Sequence, residues 1–129
     1  MLHLKKIHHV AIICSNFSRS KHFYTNILGF TALREVYREE RDSYKLDLAF
    51  GGHYQIELFS FPGAPSRPSW PEAQGLRHLA FEVEDIGRSK QYLEEQGVTV
   101  EEIRVDPHTG KRFTFFADPD ALPLELYES

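Results

Sequence analysis

Four side chains recur at matched spacing in this sequence: His9, Glu57, His78 and Glu125. The His-to-Glu separations are 48 and 47 residues. Each histidine offers a neutral nitrogen ligand and each glutamate an anionic oxygen. Two of each balance the charge of one divalent ion. Mixed N/O ligation suits Zn²⁺, Ni²⁺, Co²⁺, Mn²⁺ or Fe²⁺, with one or two positions left for water or substrate. A buried carboxylate without a partner is costly, which is a second reason to expect a cation beside such a set. A lone strand histidine is ordinarily satisfied or solvent-facing, and His3, His22, His53 and His108 carry that reading. The repeated spacing separates His9, Glu57, His78 and Glu125 from them.

The residues around the four repeat as well. Aligning His9 with His78 sets Ala11 on Ala80, Arg19-Ser20-Lys21 on Arg88-Ser89-Lys90 and Phe23 on Tyr92. After a one-residue slip, Gly29 meets Gly97 and Glu57 meets Glu125. A long repeat that occurs only twice implies two paired modules and not a solenoid.

The elements needed to position these residues follow from periodicity. Residues 6–14 alternate as a strand, with Val10 and Ile12 on one face and His9, Ala11 and Ile13 on the other. Ser15 or Asn16 caps a helix over 17–28, and Gly29 ends it. Strands are expected over 30–38 and 43–50, joined by a charged turn at 39–42. In 43–50, Tyr44, Leu46, Leu48 and Phe50 oppose Lys45, Asp47 and Ala49. Gly51-Gly52 makes a hairpin into a strand over 53–61. The second half repeats this order: strand 76–83, Asp85 cap, helix to about 96, Gly97, then strands 98–105, 111–117 and 123–128. The fold class is therefore α+β, built as two βαβββ modules with eight strands and two helices.

The apolar stripes are Val10/Ile12, Ile56/Leu58, Leu79/Phe81/Val83 and Leu124/Leu126. In every case the His or Glu falls on the opposite face. Sheets curled together on that face would bring two imidazoles and two carboxylates into one cavity. Lys45 and Asp47 share that face as substrate-contact candidates. Phe113 and Phe115 are candidates for its wall, and Lys111 or Arg112 for its mouth.

Length and composition bound the rest. The 129 residues fit one domain spanning 1–129, with modules at about 5–61 and 75–128 and a linker at 62–74. Four prolines at positions 62–71 exclude helix and sheet there. Ten Phe and six Tyr argue against disorder. The net charge of −4 gives no basic footprint for nucleic acid. No run approaches the ~20 apolar residues of a membrane span. The first residues lack the shape of a signal peptide, and the single cysteine, Cys14, reads as a small packed thiol. A cytoplasmic location is the expectation.

These residues resemble the vicinal oxygen chelate superfamily, which takes in glyoxalase I, fosfomycin-resistance enzymes, bleomycin-resistance proteins, extradiol dioxygenases and methylmalonyl-CoA epimerase. The likeness is carried by His9-Val10-Ala11-Ile12, Phe23-Tyr24 before Leu28-Gly29-Phe30, Ile56-Glu57-Leu58, Arg77-His78-Leu79-Ala80-Phe81, and Asp118-Pro119-Asp120 before Leu124-Glu125-Leu126. It covers nearly the whole chain. Within the superfamily the chain resembles the bacterial, glyoxalase-related group called YaeR-like. The resemblance implies a cupped eight-stranded mixed sheet holding one divalent metal ion, a small-molecule substrate and a homodimer.

It also implies a reaction class. Extradiol dioxygenases and fosfomycin enzymes typically use two His and one Glu, with no carboxylate at the position of Glu57. The four-residue set is more similar to glyoxalase I, a lactoylglutathione lyase. There one glutamate leaves the metal and moves a proton on the carbon next to a carbonyl. By position that base is Glu125, with Glu57 second. Glutathione-using members commonly carry an arginine where this chain has Ile13 and an asparagine where it has Phe61. A substrate other than the glutathione adduct is therefore expected: a hydroxy-carbonyl compound or another thiol's adduct. The alternatives are an extradiol-type dioxygenase or thiol-transferase resistance enzyme, and a non-catalytic binding protein of the bleomycin-resistance kind.

Overall fold

A computed structural model describes residues 1–129. It divides into two units, Met1–Pro65 and Ser66–Ser129, and the break falls inside the proline-rich stretch. No helix is long and apolar enough to cross a membrane.

The first unit holds β1 (Val10–Cys14), α1 (Phe17–His22), β2 (Thr31–Arg38), β3 (Ser43–Phe50) and β4 (His53–Ser60). Its strands lie in the order β1-β4-β3-β2, with β1 parallel to β4 and the other pairs antiparallel. The second unit holds β5 (Leu79–Val83), α2 (Ile86–Glu95), β6 (Arg104–Val105), β7 (Arg112–Ala117) and β8 (Pro123–Glu128), in the order β5-β8-β7-β6. Both units are βαβββ, as the repeat required. The hydrogen bonding runs as two sheets of four strands.

Both helices begin as the sequence dictates. Asn16 Oδ1 accepts from the Arg19 N–H at 3.0 Å, and Asp85 Oδ1 from the Arg88 N–H at 3.0 Å. The first helix does not run regularly to residue 28. After His22 it widens into a π-helical turn, Phe23–Ile27. The Thr25 hydroxyl donates to the Lys21 carbonyl at 2.6 Å, and such back-bonding competes with the regular ladder. The wider turn buries both Phe23 and Tyr24 against the sheet. Gly29 and Gly97 then take φ of +87° and +83°, the left-handed conformation that ends a helix without a Cβ clash.

The apolar stripes sit where alternation places them. Ile12, Cys14, Leu46, Leu48, Ile56 and Leu58 are buried in the first unit, and Ile86, Leu93, Phe116, Leu124 and Leu126 in the second. Ala11 and Ile13 on the other face of β1 are exposed. Ala49 keeps its expected face, with Lys45 and Asp47, and is buried there. Its partner reveals a bulge: Leu48 pairs with Ile56 but Ala49 pairs with Tyr54, so Gln55 is an extra residue on β4 and Tyr54 joins that face.

The strand expected over 98–105 is also cut back, to Arg104–Val105. Upstream of it, the Glu101 N–H donates to the Phe115 carbonyl at 2.9 Å, while the Glu101 carbonyl accepts from the buried Thr114 hydroxyl at 2.7 Å. A side chain has taken the acceptor a ladder bond would use.

Two carboxylates fix the route into and out of β8. Asp118 Oδ1 accepts from the Asp120 N–H (2.9 Å) and the Leu122 N–H (3.0 Å), which closes the turn before the strand. Glu128 takes Arg112 in a bidentate pair at 3.0 and 2.7 Å and also accepts from the Ile86 N–H at 3.2 Å. The Arg112 bond, then the Ile86 N–H, hold the Glu128 carboxyl below its usual range.

The face assignment has a direct consequence. Leu124→Ala is expected to destabilise the protein by about 2–5 kcal/mol in urea titrations. Ile13→Ala, on the opposite face of its own sheet, is expected to cost roughly 0.5 kcal/mol or less.

Candidate metal centre

In the first unit Ala11 lies opposite Glu57 in the parallel β1–β4 pair. His9, two residues before Ala11, therefore shares the face of Glu57. His9 Nε2 stands 3.8 Å from Glu57 Oε1. In the second unit Ala80 lies opposite Glu125, and His78 Nε2 stands 3.2 Å from Glu125 Oε1. The repeat in sequence is thus a repeat in geometry. Both glutamates are largely withdrawn from water, their side chains keeping 16% and 13% of full exposure.

Two ligands bound to one ion at ~2.0–2.2 Å sit roughly 3.0–3.5 Å apart. The His78–Glu125 pair already has that spacing, and the His9–Glu57 pair needs a shift of a few tenths of an ångström. Each unit on its own supplies one imidazole and one carboxylate, and neither gathers three such groups into a cage. The donor set fits one half of an N/O site per unit. His9 is further oriented by its neighbour, with His8 Nδ1 2.8 Å from His9 Nδ1. His3, His22, His53 and His108 are exposed, as expected for histidines with no site role.

The surroundings of the two pairs differ. Lys45 and Asp47 lie beside Glu57, as alternation required. Lys45 Nζ donates to Asp47 Oδ1 at 2.8 Å and reaches Glu57 Oε2 at 3.3 Å. The bond to Asp47 raises the Lys45 pKa, so its charge is secure at neutral pH. The Tyr54 hydroxyl is 3.0 Å from Glu57 Oε2 and 3.1 Å from Asp47 Oδ1, so one proton serves both carboxylates. Burial, then the bond to Glu57, pushes the Tyr54 pKa far above its usual range, so it stays a donor. Its ring also stacks on His9, with centroids 5.1 Å apart and planes at 9°.

Tyr54 escaped the sequence reading because strict alternation puts it with Ile56. The bulge at Gln55 turns it to the face of Glu57. The only signal was the Gly51-Gly52 hairpin next to it, which marks backbone free to depart from regular pairing. His8 had no signal beyond its adjacency to His9.

In the second unit, the rungs held by Lys45 and Asp47 are occupied by Phe113 and Phe115. Phe115 pairs with Glu125 as Asp47 pairs with Glu57, and Phe113 pairs with Tyr127 as Lys45 pairs with Phe59. The Phe115 ring meets His78 edge-on at 5.0 Å. Glu125 Oε1 faces His78, and no lysine or hydroxyl approaches Oε2 as Lys45 and Tyr54 approach Glu57. Lys111 and Arg112 lie exposed on or beside β7, and Arg112 is committed to Glu128.

This architecture is that of the glyoxalase/bleomycin resistance protein/dioxygenase superfamily. The chain belongs to it: the family model matches residues 6–126. YaeR, an uncharacterised protein of Escherichia coli (strain K12), is 64% identical, over 99% of both chains. The crystal structure of a glyoxalase family protein from Enterococcus faecalis superposes with a TM-score of 0.90 at 54% identity, covering 96% of this chain and 98% of that one. Glyoxylase I 4 of Arabidopsis thaliana is 31% identical over 97% of this chain and 71% of its own.

The side-chain assignment is open to test by NMR of histidine ring nitrogens. Titrating Zn²⁺ is expected to shift the His9 and His78 signals and leave those of His3, His22, His53 and His108 in place. Tyr54→Phe, which removes the outer hydroxyl but not a ligand, is expected to weaken Zn²⁺ affinity roughly tenfold.

Proposed function

We propose that this protein is a divalent-metal-dependent isomerase or lyase of the glyoxalase I type. It moves a proton on the carbon next to a carbonyl of a small substrate. His9, Glu57, His78 and Glu125 would together hold one ion, contributed within one chain or across a homodimer. When bound, that ion supplies a Lewis acid that stabilises negative charge developing on the substrate carbonyl oxygen.

The observation that carries this reading is the unequal hold on the two glutamates. Glu57 Oε2 is engaged by Tyr54 and Lys45, so its carboxylate is locked while Oε1 remains directed at His9. Glu125 is tethered through His78 alone and is walled by Phe115. A general base must rotate toward the carbon it deprotonates, and only Glu125 is free to do so. It takes a proton from the carbon beside the carbonyl. The electron pair of that C–H bond moves toward the carbonyl oxygen. The protonated Glu125 then returns the proton to the former carbonyl carbon while the hydroxyl proton on the first carbon passes to the second oxygen, so a hydroxy-carbonyl substrate is isomerised with no net redox change. Phe113 and Phe115 limit water around the base, which limits loss of the proton to solvent.

The relative Glyoxylase I 4 supports this class of chemistry. The glutathione adduct itself fits poorly. Ile13 is 54% exposed on the open face of β1, and Phe61 stacks on Phe59 at 5.7 Å. Neither can pair with a glutathione carboxylate, and each such charged contact contributes about 1.5–3 kcal/mol.

Metal-loaded protein can be assayed on methylglyoxal adducts of several thiols and on simple hydroxy-ketones, with proton transfer followed by NMR. Glu125→Gln is expected to lower the rate by about 10²–10⁴. An undiminished rate in that variant would place the base elsewhere. Ordinary enzyme efficiency on the methylglyoxal–glutathione adduct would overturn the substrate restriction.

A further inference from the structure

We propose that the open face of the first sheet carries an oxyanion subsite, built from Arg38 and Arg41 over Phe59 and Phe61. The substrate of the proposed proton transfer would dock a carboxylate or phosphate there, an assignment that rests on the function proposed above. Phe59 follows Glu57 by two residues with no bulge between them, so both rings of the Phe59–Phe61 stack continue the face of the carboxylate. The Arg38 guanidinium carbon lies 5.0 Å from the Phe59 ring centre and 5.6 Å from that of Phe61. Arg41 approaches the Phe61 ring at 4.9 Å.

Two arginines are therefore gathered on one aromatic platform, and neither has a carboxylate as partner. The ion pairs of this sheet are those of His9, Lys21 and Lys45. Arg38 donates from Nη2 to the buried Ser43 hydroxyl at 3.0 Å, and its Nε–H is buried without an acceptor. The rings and one hydroxyl hold this side chain, not an acid. Glu39 and Glu40, in the turn between the two arginines, are exposed and pair with neither. A guanidinium held over a ring has little rotamer freedom left to lose. It keeps its outer N–H edge for a planar or tetrahedral oxyanion.

The spacing defines the ligand. At about 3.3 Å per strand residue, Phe59 and Phe61 lie roughly 7 and 13 Å along the sheet from Glu57. A molecule whose reacting carbonyl is at the His/Glu rung would place its anionic group that far away. This is longer than a triose and matches a hydroxy-carbonyl compound joined to a carboxylate or phosphate through a short chain. The strand partners of Phe59 are Ile13 on one side and Lys45 on the other, and Lys45 is already held by Asp47 and Glu57, so Arg38 and Arg41 are the cations left for this platform.

Inorganic phosphate and acetate serve as separate probes at constant ionic strength, followed through the Phe59 and Phe61 amides and the arginine Nε–H signals. Saturable shifts at these groups are expected, with half-saturation at about millimolar probe. Both Arg38→Gln and Arg41→Gln are expected to weaken the response at least about tenfold, with Arg88→Gln as an unaffected control. Tighter phosphate than acetate binding would indicate a phosphate ester, and the reverse a carboxylate. Shifts that grow linearly and spread over all basic residues would overturn the subsite. So would an unchanged response in Arg41→Gln, whose exposed side chain leaves the core intact. Zn²⁺ titration of the same samples separates the two proposals. Anion binding absent with metal binding kept removes the subsite alone. Metal binding absent with anion binding kept removes the proton-transfer reading instead.

Discussion

A carboxylate withdrawn from water has to be met by a donor or a cation, and here that requirement falls twice on the same rung of a parallel strand pair. Glu57 and Glu125 sit at the centre of their sheets because Ile56/Leu58 and Leu124/Leu126 are needed on the opposite face to pack the helices. The pleat that buries the leucines turns the glutamates onto the open side. A histidine one short step before the neighbouring strand then meets each of them. Core and site are two faces of one alternation, so a register slip that exposed Leu58 would also bury Glu57 in the core.

The two copies answer the same requirement differently, and the proposed function rests on that difference. In the first unit a lysine and a tyrosine engage the outer oxygen of Glu57, and both also donate to Asp47. In the second, phenylalanines take the same rungs and leave Glu125 with its histidine. A duplicated module with identical glutamates would give two equivalent ligands. Divergence at the rung alongside leaves Glu57 with two further partners and Glu125 with its histidine, which is the basis of the proposed division of roles. The same first-unit face continues past Glu57 to an aromatic platform crowned by arginines.

Much of this was legible in the sequence because it depends on local rules. The His and Glu positions, the Asn16 and Asp85 caps, the Gly29 and Gly97 stops and the β-strand faces each follow from a few neighbouring residues. What was not legible depends on pairing between segments. The bulge at Gln55 inverts Tyr54, and nothing within either strand announces it. The strand expected over 98–105 shrinks to its last two residues because a threonine hydroxyl on β7 takes a carbonyl of Glu101. The π-helical turn after His22 reflects a side-chain hydroxyl competing with the backbone. In each case a long-range or side-chain hydrogen bond overrides the local period.

The proposed function requires that the two histidines and two glutamates together hold one metal ion. The most direct measurement is the metal content of natively purified protein, with Glu57→Ala and His78→Ala alongside. A shared site gives about one divalent ion per chain, lost or markedly weakened in both variants although the two residues lie in different units. A wild-type chain that stays folded yet takes up none of Zn²⁺, Ni²⁺, Mn²⁺ or Fe²⁺ on incubation would contradict it, and would make a metal-free binding protein the better reading.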